Sequence, residues 1–232
     1  MIFQRDELSN VICNIRIPKL VGEEVGTAIF IVKEDVPYLL TASHVIANLT
    51  PQTYVVLADP NNVPTKVLLS VLLGGATFIN HTQADLAKAI ILITTANSHF
   101  LEGRFFPYEQ IDISDNTLSK DIELTTIGFP LGLGANGAKF SPLSYRTYVA
   151  SPIITLPRFD NGIDCDFIIL ESPSVGGYSG GPMFDLGYMI SGMMRSTKEN
   201  TILHGIVHGT ISDPTGGKLG AITPCKYLDG WL

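Results

Sequence analysis

With 232 residues, the chain is long enough for one large domain or two small lobes sharing an interface, and 45% hydrophobic against 16% charged residues describes a well-packed globular protein. A net charge of −7 with no Lys/Arg cluster argues against nucleic acid or an anionic membrane surface as a partner. Glycine at 22 positions and proline at 14 suit many short strands joined by many turns.

In chain order, residues 1–10 carry Arg5, Asp6 and Glu7 and lack the apolar core and small-residue cleavage site of a secretory signal. Strand-like runs rich in Val, Ile, Leu and Thr follow at 11–17, 27–32, 38–42, 54–58, 66–73 and 86–94. Residues 43–48 suggest a short helical turn. Residues 97–121 have no strand character and form a natural crossover. Further runs lie at 123–129, 144–150, 167–171, 182–184, 188–194, 201–208 and 220–223, and residues 224–232 suggest a short terminal helix with Tyr227, Leu228 and Trp231 on one side. This pattern indicates an all-β barrel or sandwich architecture, of which two barrels are the economical reading. It divides into a first barrel (11–100), a crossover (101–121), a second barrel (122–224) and a C-terminal helix (225–232). The longest apolar runs, 67–73 and 89–93, fall well short of the roughly 20 residues of a membrane-spanning helix. Cys13, Cys165 and Cys225 are odd in number, far apart and without metal-ligand spacing. They favour a reducing, cytoplasmic setting, although a secreted chain trimmed before Met1 has the same appearance.

The richest segment is Gly176-Gly177-Tyr178-Ser179-Gly180-Gly181-Pro182. Glycine enters backbone conformations closed to other residues, so this frame can present one hydroxyl beside backbone N–H groups, as acyl transfer at serine requires. A plain glycine-rich turn fits the segment equally well. A serine nucleophile needs a base, usually a histidine oriented by a carboxylate. His44 lies where the apolar run 38–42 ends in small residues, and Asp85 stands directly before the run 86–94. Each also has an ordinary reading, as a satisfied strand-end histidine and as a turn-capping aspartate. Asp59, Asp112 and Asp115 are weaker rivals, since none leads into a strongly apolar strand.

Taken together, His44, Asp85 and Ser179 in that order resemble the chymotrypsin-like serine peptidases, especially the bacterial Deg/HtrA-type branch. Thr41-Ala42-Ser43-His44 is similar to that family's histidine motif, Asp85-Leu86-Ala87 to its aspartate motif, and Gly177-Tyr178-Ser179-Gly180-Gly181-Pro182 to its nucleophile loop. Gly26-Thr27-Ala28, Gly128-Phe129-Pro130-Leu131-Gly132 and Gly220-Ala221-Ile222-Thr223-Pro224 agree with its pattern. The resemblance covers roughly residues 11–232 and implies two six-stranded antiparallel β-barrels with the site in the cleft between them. It implies Ser179 as nucleophile, His44 as general base and then acid, and Asp85 as the group fixing the imidazole. It also implies an oxyanion hole from the N–H groups of Gly177 and Ser179. The expected activity is that of a serine endopeptidase acting on polypeptides in a bacterial cytoplasm, without cofactor or metal.

The chain departs from the family at Tyr178, where the trypsin branch has an aspartate that pairs with a newly cut N-terminus. Activation by such a cut is therefore not expected, and control would fall to an activating partner or an oligomer. No PDZ domain is expected after the terminal helix, although many Deg/HtrA proteins carry one. Pro173, six residues before the serine, is expected near the base of the pocket for the side chain preceding the cut, and it is not acidic. Spacing from Pro182 favours 192–197 as the pocket-edge strand, with Met194 and Arg195 at its wall. The alternative is 205–210, where His208 could favour acidic side chains. An extra strand or hairpin is expected between 196 and 218. An apolar or small residue before the cut is the preferred reading. A catalytically silent fold that only binds peptide in the cleft, or an esterase using the same triad, are the alternatives.

Overall fold

The computed structural model spans residues 1–232; Gly192, Lys198 and Glu199, and the side chains of residues 189–191, 194 and 195, lie outside the described residues. Several strands are apolar at consecutive positions, because both of their faces are covered. Strand β1 (Ile12–Pro18) and strand β2 (Glu23–Lys33) show this best. Cys13, Ile15, Ala28 and Phe30 enter one buried cluster, while Ile12, Ile29 and Ile31 enter another. The side chains alternate strictly, as a pleated strand demands, but over residues 12–17 and 26–31 neither face meets solvent.

The first sheet continues through β3 (Val36–Thr41), β4 (Tyr54–Ala58), β5 (Pro64–Leu68), β6 (Ile79–Asn80), β7 (Ala87–Ile90) and β8 (Phe106–Pro107). Its strand order is β5-β4-β1-β2-β3-β7-β6, with β8 parallel to β2. The stretch 97–121 thus does contain a strand; two residues, one a proline, carry no periodic signal, and burial of Phe106 fixes them. The second sheet comprises β9 (Glu123–Gly128), β10 (Leu143–Pro157), β11 (Asp164–Leu170), β12 (Pro182–Asp185), β15 (Ile202–Ser212) and β16 (Lys218–Pro224). These six close into an antiparallel barrel, β10-β11-β16-β15-β12-β9. Between β12 and β15, β13 (Tyr188–Ser191) and β14 (Met194–Thr197) form a separate hairpin.

The largest apolar cluster joins the two sheets. Ile29, Ile31 and Leu40 from the first meet Ile127, Phe167, Phe184 and Leu203 from the second. The expected terminal helix is only a 3-10 turn, Cys225–Leu228, because Asp229 is extended and Gly230 has φ +64°. The cysteines are buried free thiols, and burial pushes Cys13 up to about 12. Among the described residues, no helix is long and apolar enough to cross a membrane.

Gly180 sits at the seam between the sheets. Its φ is +81°, and a Cβ there would lie 2.1 Å from Thr41 Oγ1 and 2.3 Å from Thr27 O. Gly162 has φ +73° with no atom within 4 Å of a Cβ. Gly162→Ala should therefore cost only the backbone strain of about 1–2 kcal/mol, and Gly180→Ala about 2–4 kcal/mol in urea unfolding. Equal costs would show that the seam tolerates an extra methyl group.

Candidate active site

Strand β3 ends at Thr41, and Ala42 leads into the 3-10 turn Ser43–Ile46, which carries His44. The turn packs closely on the first sheet: a Cβ on Gly26 would lie 2.3 Å from Val45 Cγ1. This holds His44 at the edge of the core with 18% of its side chain exposed. Asp85 lies between buried Ala84 and Leu86, just before β7, and is itself fully buried. It accepts hydrogen bonds from His44 N at 3.0 Å and His44 Nδ1 at 2.6 Å. An ionised carboxylate only accepts, so the imidazole proton sits on Nδ1 and Nε2 keeps its lone pair.

Three further groups converge on Asp85. Ser43 Oγ donates to Oδ1 at 2.5 Å, Arg158 approaches Oδ1 at 3.3 Å, and His208 Nδ1 donates to Oδ2 at 2.6 Å. Arg158 also donates to the carbonyls of Gln83 and Ala84, to Ser43 Oγ and to Asp160. Burial alone would raise the Asp85 carboxyl, but the hydrogen bonds from His208 and His44 outweigh it and hold the group far below the carboxylate range. Sequence reasoning missed Arg158 and Ser43 as partners of Asp85. A lone cation after a strand carries no local signal of burial.

The turn bearing Ser179 is fixed from both sides. Thr27 Oγ1 donates to Gly177 O at 2.7 Å, Thr27 N to Ser179 O at 2.9 Å, and Leu131 N to Gly176 O at 2.7 Å. On the opposite flank Gly180 N donates to Val207 O and Val207 N to Gly181 O, each at 2.8 Å. Gly177 has φ +105° and packs so tightly on Phe129 O that a Cβ would come within 2.3 Å of it. Among the described residues, the N–H groups of Gly177 and Ser179 donate to no acceptor. Tyr178 is held by packing: it is buried, its ring lies edge-on to Tyr145 at 5.1 Å, and burial raises its phenol to about 12. Ser179 is half-buried, and its Oγ donates to His208 O at 3.4 Å, with no hydrogen bond to His44.

The strand beside Ser179 is β15, which pairs with β12, so residues 205–210 occupy the place that spacing had favoured for 192–197. The inserted hairpin lies at 188–197, before β15, and only its last two residues reach into the expected interval of 196–218. Counting forward from Pro182 cannot distinguish an inserted hairpin from a barrel strand. The side chains of Met194 and Arg195 lie outside the described residues. Pro173 is exposed in the segment leading to the turn, which Thr210 Oγ1 ties to β15 through Ser174 O at 2.7 Å. His208 is buried on Asp85 between Phe159 and Phe167, with ring centroids 4.3 and 4.6 Å away. It lines a cavity of about 400 Å³ with Leu156, Phe159 and Ile211. The rival aspartates lie elsewhere: Asp59 caps its own turn, Asp115 pairs with Lys226, and Asp112 accepts from His204 Nδ1 at 3.1 Å.

With this geometry the chain is similar to solved serine-protease structures over nearly its whole length. An HtrA-type protease, AlgW, solved with a tripeptide, matches with TM-score 0.59 and 19% identity, covering 98% of this chain and 62% of that one. A serine endoprotease from Yersinia pestis matches with TM-score 0.57 and 18% identity, over 99% of this chain and 65% of that one. An inactivated protease paralogue of the scabies mite matches with TM-score 0.57 and 10% identity, over 97% and 93%. The chain thus spans less than two thirds of the length of the first two. No family model and no curated protein matches the sequence. At these identities the likeness establishes the fold, which is chymotrypsin-like.

Thr27→Val keeps the shape of a fully buried side chain but removes its bond to Gly177 O. If Ser179 acts as a nucleophile, its reaction with a fluorophosphonate should slow about tenfold or more, with a stability loss of about 1–2 kcal/mol; an unchanged rate would show that Gly177 holds its conformation unaided. Two carboxyls link the fold to acid. Asp85 is held low as described, and the hydrogen bond from His204 lowers Asp112 to about 2. Both lie below the unfolded value of about 3.9, so their stabilisation is complete above that pH and lost as pH falls through the folded values. Melting temperature should therefore drop between about pH 4 and 2, and Asp112→Asn should make that drop shallower. A variant melting curve parallel to wild type would remove Asp112 from the account.

Proposed function

We propose that the chain is a serine peptidase that cleaves polypeptides in the cleft between its sheets. The observation that carries this reading is the 2.6 Å bond from His44 to the fully buried Asp85, which leaves His44 Nε2 free as a base. The reading requires Ser179 Oγ to leave His208 O and turn toward that nitrogen; catalytic hydrogen bonds are often long or misaligned before substrate binds. Ser179 Oγ then attacks the scissile carbonyl carbon as His44 takes its proton. The oxyanion forms beside the two unengaged N–H groups of Gly177 and Ser179. Collapse expels the amine, which takes the proton back from His44, and water repeats the sequence on the acyl-enzyme. Asp85 stays ionised and stabilises the imidazolium.

Tyr178 supports a turn shaped by packing rather than by an ion pair to a cut N-terminus. The HtrA-type structure that holds a tripeptide favours polypeptide as the substrate class. The apolar cavity beside Phe159 and His208 suits an apolar substrate side chain.

A second reading has its own observation: Ser179 Oγ binds His208 O instead of His44, and one similar structure is an inactivated paralogue. On that reading the cleft binds peptide without cutting it. A fluorophosphonate probe separates the two. Wild type should label on Ser179, Ser179→Ala should not, and Asp85→Asn should label about 10⁴-fold more slowly. A folded wild type that never labels supports the silent reading.

A further inference from the structure

We infer that His208 is a positioning residue for the base, a second imidazole seated on the same carboxylate oxygen that holds His44; this rests on the reading of His44 as the base for Ser179. Asp85 Oδ2 receives both Nδ1 atoms, each at 2.6 Å. Since a carboxylate only accepts, both rings carry their proton on Nδ1, and together they fill the two lone pairs of Oδ2. Oδ1 is engaged by Ser43 Oγ, His44 N and Arg158. The carboxylate is fully buried, so water cannot replace a missing donor without opening the site. Without His208, one lone pair of Oδ2 is left unmatched, and the plane of Asp85, which aims His44, is free to turn.

The ring of His208 is itself held. Phe159 and Phe167 flank it, and its two centroid distances are shorter than the 5.7 Å separating it from His44. Its backbone belongs to the segment that fixes the nucleophile: Val207 exchanges hydrogen bonds with Gly180 and Gly181, and His208 O accepts from Ser179 Oγ. Two consecutive residues of β15 therefore hold both the turn of Ser179 and the carboxylate that aims His44. The side chain of His208 sets the base relative to the nucleophile, across the boundary between the sheets.

The test uses the full chain with two substitutions. His208→Asn keeps an N–H donor close to the place of Nδ1 and loses the rest of the ring; His208→Ala loses both. The fluorophosphonate labelling rate should fall about tenfold or more in His208→Ala and return to within about threefold of wild type in His208→Asn. A purely structural role predicts the reverse ranking or equal losses, because both variants empty the space between Phe159 and Phe167. Proton NMR of the wild type provides an arm independent of activity. Two far-downfield imidazole N–H resonances are expected, and His208→Asn should abolish one and shift the other. A single such resonance in wild type, labelling of His208→Ala at the wild-type rate, or failure of His208→Asn to recover would overturn the proposal. A wild type that shows both resonances but never labels would instead defeat the peptidase reading and leave the His208–Asp85 pair standing.

Discussion

The structure turns on one buried negative charge. Asp85 lies in the loop just before β7 of the first sheet, has no contact with solvent, and would be strongly destabilising there without donors. Its donors come from both halves of the chain: Ser43 and His44 from the turn after β3, Arg158 from the end of β10, and His208 from β15. The carboxylate therefore does two jobs with one set of bonds. It fixes the tautomer of His44, and it requires the second barrel to sit where Arg158 and His208 can reach it. Breaking such a network by removing one partner is far worse than never having built it, because the remaining charge stays buried.

The turn around Ser179 is governed in a complementary way. Its glycines let the main chain come within van der Waals limits of Thr27, Thr41 and Phe129, and a side chain at Gly177 or Gly180 would collide with backbone atoms. Tyr178 supplies the anchoring that an ion pair would supply elsewhere, by burying its ring against Tyr145 among the apolar residues inside the second barrel. An apolar anchor responds little to pH or salt, whereas an ion pair responds to both. Thr27 joins the two arrangements, since it bonds the turn on one side and accepts from Thr41, next to the histidine turn, on the other.

Much of this was legible in the residues. Consecutive apolar positions marked strands, and the glycine frame marked a turn that other side chains cannot form. His44 and Asp85 stood out because each sits at the end of an apolar run, where a polar side chain can reach a cleft without disturbing the core. Arg158 and His208 were not legible as partners of Asp85. The pairs are 73 and 123 residues apart, and nothing in the neighbours of either residue encodes such a meeting. Asp112 and His204 make the same point from the other side: a carboxylate–histidine pair forms there too, but away from Ser179.

The sequence by itself determined the strand-rich architecture, the glycine frame of residues 176–182 and the polar side chains that stand at the ends of apolar runs, because these depend on local periodicity and on what each side chain can do. Tertiary structure alone decided which histidines share a carboxylate, which strand runs beside the serine and where the inserted hairpin falls. Those outcomes depend on closing a barrel and burying a charge, and both are satisfied only by groups far apart in the chain.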